Sequence, residues 1–153
     1  MIDKKNNNLT FIPTYNEKNN IVKLVDIILS LKDFDTDIFI IDDNSPDNTY
    51  GYVKNYYSNN KKVYIINRGR KKGLGSAHKE GIEYAKKNNY KILITLDSDF
   101  THDPNDFYKF LKFAKTYDIV IGNRFVLKES LSDWNIYRKA ATNGGHLLTK
   151  YFL

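Results

Sequence analysis

The chain has 153 residues, 41% of them hydrophobic and 14% aromatic, which is enough to bury a core and, most simply, to form one domain. Its formal net charge of +6 suits a nucleic acid, an anionic membrane surface or a phosphorylated small molecule, and does not choose between them. Since there is no cysteine, a disulfide framework, a thiolate nucleophile and a cysteine-ligated zinc site are excluded, as expected for a cytosol-facing protein.

Apolar runs alternate with helical patterns along the chain, which predicts strands and helices in turn. The predicted strands are residues 9–12, 37–41, 63–66, 92–96 and 118–121. The predicted helices after the first four strands begin near Glu17, Thr49, Leu74 and Asn105. Asp103 can cap the last of these helices, and Pro104 can occupy its first turn. No apolar run approaches the roughly 20 residues that a membrane-spanning helix needs.

Strands that are apolar throughout are buried on both faces, and helices between them supply the crossovers of a parallel sheet. The expected fold is therefore α/β, a doubly wound, mostly parallel sheet with helices on both faces. In such sheets ligands bind at the carboxyl ends of the strands. Polar clusters follow the predicted strands at these ends: PTYNE, DDNS, NRGRKKGLG, DSD and GNR.

The segment LDSDFTHDP places Asp97 and Asp99 directly after an apolar run. Two carboxylates two residues apart can point at one hard cation such as Mg²⁺ or Mn²⁺, which then holds phosphate oxygens. The alternative is a pair of solvated or helix-capping aspartates. A calcium loop is excluded by Thr101, His102 and Tyr108 at positions that need other residues.

A D-x-D-x-T phosphatase signature also matches the five residues from Asp97 to Thr101. In that reading Asp97 is a covalent nucleophile and Asp99 its acid/base. However, three strand–helix units precede the motif here, and the acidic pair Asp42 and Asp43 lies upstream instead of downstream. This order disfavours a phosphatase.

The glycine-rich loop after the third strand does not complete a known nucleotide motif. His78 stands where a dinucleotide fingerprint needs its last glycine, and there is no P-loop pattern. The basic residues of the loop could meet an anionic ligand or form a plain basic surface: Arg68, Arg70, Lys71 and Lys72.

Six segments occur in this order along the chain: FIPTYNE, IIDDNSPDNT, RKKGLGSAHKEGIEYA, LDSDFTHDP, DIVIGNRF and WNIYRKAATNGG. In their order and spacing they resemble the dolichyl-phosphate mannose synthases within the family 2 glycosyltransferases of GT-A fold. The resemblance covers nearly the whole chain from Leu9 onward. It implies one glycosyltransferase domain over residues 1–153, with a nucleotide-sugar-binding core at about 9–125 and the start of an acceptor-side, membrane-proximal segment at 126–153. Because the family continues beyond the position of Leu153, a shortened C-terminus is expected.

The resemblance implies transfer of mannose from GDP-mannose to dolichyl phosphate, with inversion, for glycosylation and GPI-anchor synthesis. It implies a Mg²⁺ or Mn²⁺ cofactor and a peripheral place on the cytosolic face of the endoplasmic reticulum membrane. Small membrane-anchoring subunits are candidate partners, and nucleic acid is not. Two alternatives stay open: UDP-glucose as the donor, and a nucleotide-sugar-binding fragment that needs a partner chain.

The resemblance also assigns residues. It places Pro13, Tyr15 and Glu17 against the base and ribose. Asp43 and the backbone around Ile41 would hold the guanosine, and Asp42 would be structural. The diphosphate would be contacted, directly or through the metal, by Asp97, Ser98 and Asp99.

The resemblance also assigns basic residues. Arg124 would face the phosphates and would form the catalytic set with Asp97 and Asp99. The acceptor phosphate would lie near Arg138 and Lys139. His102 is expected to hydrogen-bond near the helix start and not to bind metal.

Overall fold

The computed structural model describes residues 7–122 together with Asn135, Tyr137 and Thr142. Parallel strands and helices alternate in the order β1 (Asn8–Thr14), α1 (Ile21–Ser30), β2 (Asp37–Asp42), α2 (Thr49–Tyr56), β3 (Val63–Asn67), α3 (Leu74–Lys87), β4 (Ile92–Thr95) and α4 (Phe107–Phe113). The chain divides into two compact units, Met1–Thr116 and Tyr117–Leu153, and all eight elements lie in the first. The expected single domain over residues 1–153 stays a prediction.

The four strands form one parallel sheet in the order β3-β2-β1-β4. Side chains alternate along a strand, so neighbouring residues of β1 enter different cores. Ile12 packs with α1 and α2 on one face, whereas Phe11 packs with α3 on the other. Helices thus cover both faces, and the doubly wound α/β fold predicted from the sequence is confirmed.

Pro13 lies in β1, which has a neighbour on each side, although proline cannot donate to a ladder. The carbonyl of Phe11 accepts from Leu96 on the β4 side, so the position of the missing N–H of Pro13, two residues on, faces the same side. Pairing with β4 ends at Thr95, opposite Phe11. The proline therefore removes no bond from this ladder.

Helix α3 packs closely on β1 through Gly81. A Cβ at this position would lie 2.9 Å from the ring of Phe11, so only glycine allows this approach. Beside it, the ring of Tyr84 stacks on Phe39 at a centroid distance of 4.0 Å. The rings of Tyr64 and Tyr90 also lie nearly parallel to the Tyr84 ring, at interplanar angles of 15° and 23°. This face of the sheet is consequently covered by aromatic rings.

The start of α4 follows the sequence expectation. The carboxylate of Asp103 accepts from the backbone N–H of Asn105 at 2.9 Å, and Pro104 occupies the first turn of a short 3₁₀ helix, Pro104–Asp106, that leads into α4. The predicted cap and the predicted proline position are both confirmed.

The predicted fifth strand is wrong. Residues 118–121 form no strand, and within residues 7–122 they pair with no other segment. A four-residue apolar run does not define a strand unless a neighbouring strand takes up its backbone hydrogen bonds. Three predicted site residues, Arg124, Arg138 and Lys139, lie outside the described residues, as does most of segment 126–153. None of the described helices is long and apolar enough to cross a membrane.

Candidate functional site

Four polar loops leave the sheet at its carboxyl edge. The register sets Thr14 of β1 beside Asp42 of β2, and Asp42 beside Asn67 of β3. On the other side of β1, Leu96 follows β4 and donates to the carbonyl of Phe11 at 3.3 Å. The loops that carry Tyr15, Asp43, Arg68 and Asp97 therefore all begin at one edge, as the sequence predicted.

The β1 and β2 loops are tied together by backbone-to-side-chain bonds. Three consecutive N–H groups of the β1 loop donate to the β2 loop: Asn16 to Ser45 Oγ (2.9 Å), Glu17 to Thr49 Oγ1 (3.2 Å) and Lys18 to Asp47 Oδ2 (3.1 Å). These bonds fix the backbone on both sides of Glu17. Tyr15 stays exposed at the rim.

Asp47 remains ionised within this contact. Partial burial would raise its pKa, but hydrogen bonds from the Thr49 hydroxyl and from the backbone N–H groups of Lys18 and Thr49 outweigh burial and lower the pKa below its ordinary value.

Asp42 is fully buried and its carboxylate is used inside the fold. Its oxygens accept from Ser45 N (3.0 Å), from Ser45 Oγ (2.5 Å) and, more weakly, from the Thr14 hydroxyl (3.4 Å). This side chain holds the turn after β2 and is not directed to a ligand.

Asp43 is also buried, and both of its oxygens are engaged. Oδ1 pairs with the guanidinium of Arg68, and Oδ2 accepts from the backbone N–H groups of Lys72 (3.2 Å) and Gly73 (2.9 Å). The expectation that Asp43 contacts guanosine is not tested by these bonds, but they give its carboxylate a second task.

The sequence suggested that Arg68 either meets an anionic ligand or belongs to a plain basic surface. Both interpretations of this residue are wrong, because its side chain is buried. Its side chain is 1% exposed. Besides Asp43 it bonds to Ser76, Glu80 and the carbonyl of Gly73. The physical reason is that these partners, up to 25 residues away in sequence, neutralise the guanidinium inside the fold.

The glycine-rich loop after β3, residues 68–73, is called the basic loop below. It contacts the β1 loop through a cation–π interaction. The ammonium of Lys71 lies 3.8 Å from the centroid of the Tyr15 ring. The structure thereby joins a residue that the resemblance places at the nucleoside with a residue of the basic loop.

The acidic turn after β4 contains Asp97, Ser98 and Asp99. Ser98 is buried, Asp97 is partly buried and Asp99 is exposed. The imidazole of His102 accepts from the backbone N–H of Asp97 through Nδ1 at 3.2 Å, so this histidine bonds to the residue that follows β4 and not to the helix start where its hydrogen bond was expected. Within residues 7–122, no side chain or N–H group donates to the carboxylate of Asp97.

Asp99 is held by Thr101, whose N–H (3.0 Å) and hydroxyl (2.7 Å) both donate to Oδ1. Although Asp99 is exposed, the little burial it has would raise its pKa. The two bonds from Thr101 and the nearby His102 outweigh burial, so the pKa lies below its ordinary value. The carboxylate is therefore ionised at neutral pH and can only accept.

These donors fit a hard divalent cation. Asp97 and Asp99 offer carboxylate oxygens only, and no group of three or more potential metal-binding residues occurs in the described part of the chain. Mg²⁺ and Mn²⁺ commonly take one or two carboxylates and complete their shell with water and substrate phosphate. The turn matches such a site, which the substrate would complete.

Sequence reasoning missed the fastening of these loops. The residues involved are Ser45, Asp47, Thr49, Ser76 and Thr101. The signal for Ser45, Asp47 and Thr49 was composition, since DDNSPDNT is rich in side chains that bond to nearby backbone.

The comparison with known proteins agrees with the site. Residues 10–151 match the family described as Glycosyl transferase family 2. The chain belongs to this family. Family membership leaves the phosphatase reading of Asp97 and Asp99 without support.

Curated relatives match along nearly the whole chain. It is 32% identical over 147 residues to an undecaprenyl-phosphate mannosyltransferase of Micrococcus luteus, covering 95% of this chain and 59% of that protein. It is also 32% identical over 144 residues to a dolichol-phosphate mannosyltransferase of Pyrococcus furiosus, covering 93% of this chain and 40% of the relative. The chain thus spans about half the length of these relatives.

Solved structures support the fold. A mannosyltransferase from Pyrobaculum calidifontis, in complex with GDP-Man and Mn²⁺, aligns with a TM-score of 0.63 and 15% identity, over 84% of this chain and 39% of that one. Residues 1–349 of TarS from S. aureus align with a TM-score of 0.55 and 21% identity, over 72% of this chain and 33% of that one.

Proposed function

We propose that this chain binds GDP-mannose at the carboxyl edge of its sheet and serves the transfer of mannose to a polyprenyl phosphate, dolichyl phosphate in the first instance, with inversion at the sugar carbon. The observation that carries the proposal is the position of the acidic turn. Asp97 follows β4 directly beside β1, the strand whose loop carries Tyr15 and Glu17. One nucleotide sugar can therefore meet both loops.

The relatives support the choice of reaction. Two of them, each 32% identical, are named for mannose transfer to undecaprenyl phosphate and dolichol phosphate. A structural neighbour was solved with GDP-Man and Mn²⁺. We assign the donor and the acceptor of this chain from its similarity to these proteins. UDP-glucose is the alternative donor that the experiment must include.

In the proposed step, an oxygen of the acceptor phosphate forms a bond to the sugar carbon while the bond from that carbon to the diphosphate of GDP breaks. The bonding electrons leave with GDP. The acceptor is already an anion at neutral pH and needs no general base. Pro13, Tyr15 and Glu17 hold the nucleoside, and Ile41 and Asp43 adjoin it.

Asp97 and Asp99 hold the cation in this proposal, with Ser98 between them against the diphosphate. When bound, Mg²⁺ or Mn²⁺ supplies positive charge to the leaving diphosphate. The low pKa of Asp99 keeps its charge available for this task at neutral pH. Arg124 is expected to face the phosphates, and Arg138 and Lys139 the acceptor.

We further place the protein at the cytosolic face of the endoplasmic reticulum membrane, where a dolichyl phosphate acceptor would be found. The net charge of +6 favours an anionic lipid surface. Co-sedimentation with vesicles containing phosphatidylserine, compared with neutral vesicles, tests peripheral binding, and subcellular fractionation tests the compartment.

The decisive experiment incubates the protein with MnCl₂, dolichyl or undecaprenyl phosphate, and labelled GDP-mannose or UDP-glucose. Organic extraction then separates lipid-linked sugar from the donor. Label in the lipid fraction with GDP-mannose supports the proposal, provided the Asp97→Asn variant gives none. A folded protein that yields no lipid-linked sugar from either donor contradicts it.

A second candidate is a donor-binding chain that another chain completes. The observation that favours it is the 59% and 40% of the relatives' length that this chain spans. Calorimetric binding of GDP-mannose without transfer, with transfer restored by the separately produced C-terminal part of the Micrococcus luteus relative, would identify it. Transfer by the chain alone rules it out.

A further inference from the structure

We propose that Lys71 is a further donor-binding residue, and that Arg68 and Asp43 are positioning residues that hold its loop over Tyr15. The ligand of this site is a nucleoside diphosphate, recognised by an aromatic ring and a cation. The inference rests on the proposed function, because the ligand is the nucleotide part of the donor. It deepens that function by adding Lys71 and by giving Asp43 a second task.

The first step is that Asp43 is committed to the loop. Oδ1 carries the ion pair with Arg68, and Oδ2 accepts two successive backbone N–H groups, those of Lys72 and Gly73. Both charged side chains are nearly excluded from water, at 1% and 9% exposure. A buried pair of this kind is held by its geometry and is costly to break from one side.

The second step is that Arg68 ties three parts of the chain together. Nη2 donates to the carbonyl of Gly73 at 3.0 Å, and Nη1 reaches Ser76 and Glu80 in α3. A guanidinium has five N–H donors in a fixed fork, so it can hold several partners at set angles. The end of the loop and the start of α3 are thereby fixed to the end of β3.

The third step is the shape of the loop. Gly69 and Gly73 have φ values of +68° and +86°, which favour glycine, and they form corners at its two ends. The first corner is held by the N–H of Gly69, which donates to the Asn67 side chain at 2.6 Å. Between the corners, Arg70 and Lys71 are exposed. The loop is fastened at its ends and presents cations at its tip.

The fourth step is the direction of Lys71. Its ammonium lies over the Tyr15 ring, which is 39% exposed. An ammonium on a flexible stem can leave the ring face for a phosphate, while the ring stays available to stack on a base. A nucleoside diphosphate offers both groups, so Tyr15 and Lys71 together match its two ends.

The test of Lys71 is calorimetric titration with GDP and with UDP in MnCl₂ at low salt. Lys71→Met should weaken GDP binding about fivefold, as expected for the loss of one partly exposed charge contact. Lys71→Arg should retain binding. The matched control is Lys72→Met, because the Lys72 side chain lies near Glu80 (3.7 Å), and its loop bond comes from the backbone.

The outcomes are separable. If the wild-type chain binds GDP and Lys71→Met binds as well as Lys72→Met, this inference is wrong while the proposed function stands. If the wild-type chain binds neither nucleotide, the proposed function fails, and the inference fails with it.

The positioning role needs a readout that a general loss of structure would not give. If Asp43 acts through Lys71, then Asp43→Asn should weaken GDP binding in the wild-type background and cost much less once Lys71→Met is present. Additive losses in this double-mutant cycle would overturn the role.

A second variant loosens the loop without touching the ion pair. Gly73→Ala strains a positive φ but has open space for its Cβ. It should speed trypsin cleavage after Arg70, Lys71 or Lys72 and weaken GDP binding. Faster cleavage with unchanged GDP binding would also overturn the role.

Discussion

The Nδ1 atom of His102 accepts the backbone N–H of Asp97, which ties the end of the acidic turn back to its beginning. An asparagine can place its side-chain oxygen near the position of Nδ1, whereas an alanine cannot. We therefore expect His102→Ala to weaken Mn²⁺-dependent GDP binding about two- to tenfold, and His102→Asn to restore most of it. Calorimetry in MnCl₂ measures both variants. Equal binding by the alanine and asparagine variants would show that this bond does not support the turn.

Asp97→Asn and Asp99→Asn should each reduce mannose transfer on the order of a hundredfold or more, because each removes a charge from the expected cation site. The turn should survive in Asp99→Asn, since an amide oxygen can still accept from Thr101. Initial rates of lipid-linked mannose formation measure the effect, and circular dichroism checks the fold. Asp33→Asn, on an exposed loop, is the control. Unchanged turnover in either variant of the turn would contradict the metal assignment.

Gly81→Ala should destabilise the fold by about 1–3 kcal/mol, because its Cβ would press on the ring of Phe11. Gly75→Ala is the matched control. It lies in the same helix with open space around it, and alanine there should leave stability unchanged or raise it by up to about 1 kcal/mol. Urea unfolding measures both. A Gly81→Ala protein as stable as the Gly75→Ala protein would show that α3 can move away from β1.

Alkaline pH should destabilise the protein through Tyr84. Burial, with a smaller effect of Tyr64 and Asp37, raises the pKa of Tyr84 to about 12. The pKa of a tyrosine in an unfolded chain is about 10. The folded state therefore keeps the proton more tightly, and this contribution is complete below pH 10 and lost as the pH rises through 12.

Urea unfolding between pH 9 and pH 12 measures this loss. Tyr84→Phe should reduce the slope of stability against pH. The control is Tyr15→Phe, which changes an exposed ring. A slope that Tyr84→Phe leaves unchanged would show that Tyr84 does not hold its proton more tightly in the folded state.

The strands of the sheet centre could be predicted because their surroundings impose a simple pattern. β1 and β2 are buried along almost their whole length, so the middle of each strand is mainly apolar, with Leu9, Phe11 and Ile12 in β1 and the run from Ile38 to Ile41 in β2. Residues 118–121 show the same pattern, and no strand forms. β1 and β2 each have a neighbouring strand that takes up their backbone hydrogen bonds, whereas residues 118–121 pair with no other segment within residues 7–122. A run of four apolar residues does not show whether such a neighbour exists.

Arg68 shows why the site was harder to predict. In sequence it looks like Arg70, two positions on, yet one side chain is buried and the other exposed. Its burial depends on Asp43, 25 residues away, and on the first turns of α3. The aspartates after β4 could be found because their chemistry and their place at a strand end are both local features.

The fastening of the loops has a consequence for how donor choice could change in evolution. The bonds that hold the basic loop involve the side chains of Asp43, Asn67 and Arg68 and backbone groups of the loop, while the side chains of Arg70 and Lys71 take no part in them. Replacing these tip residues leaves the supports intact. Substitutions at these two positions could therefore change the nucleotide preference during evolution while the loop keeps its conformation.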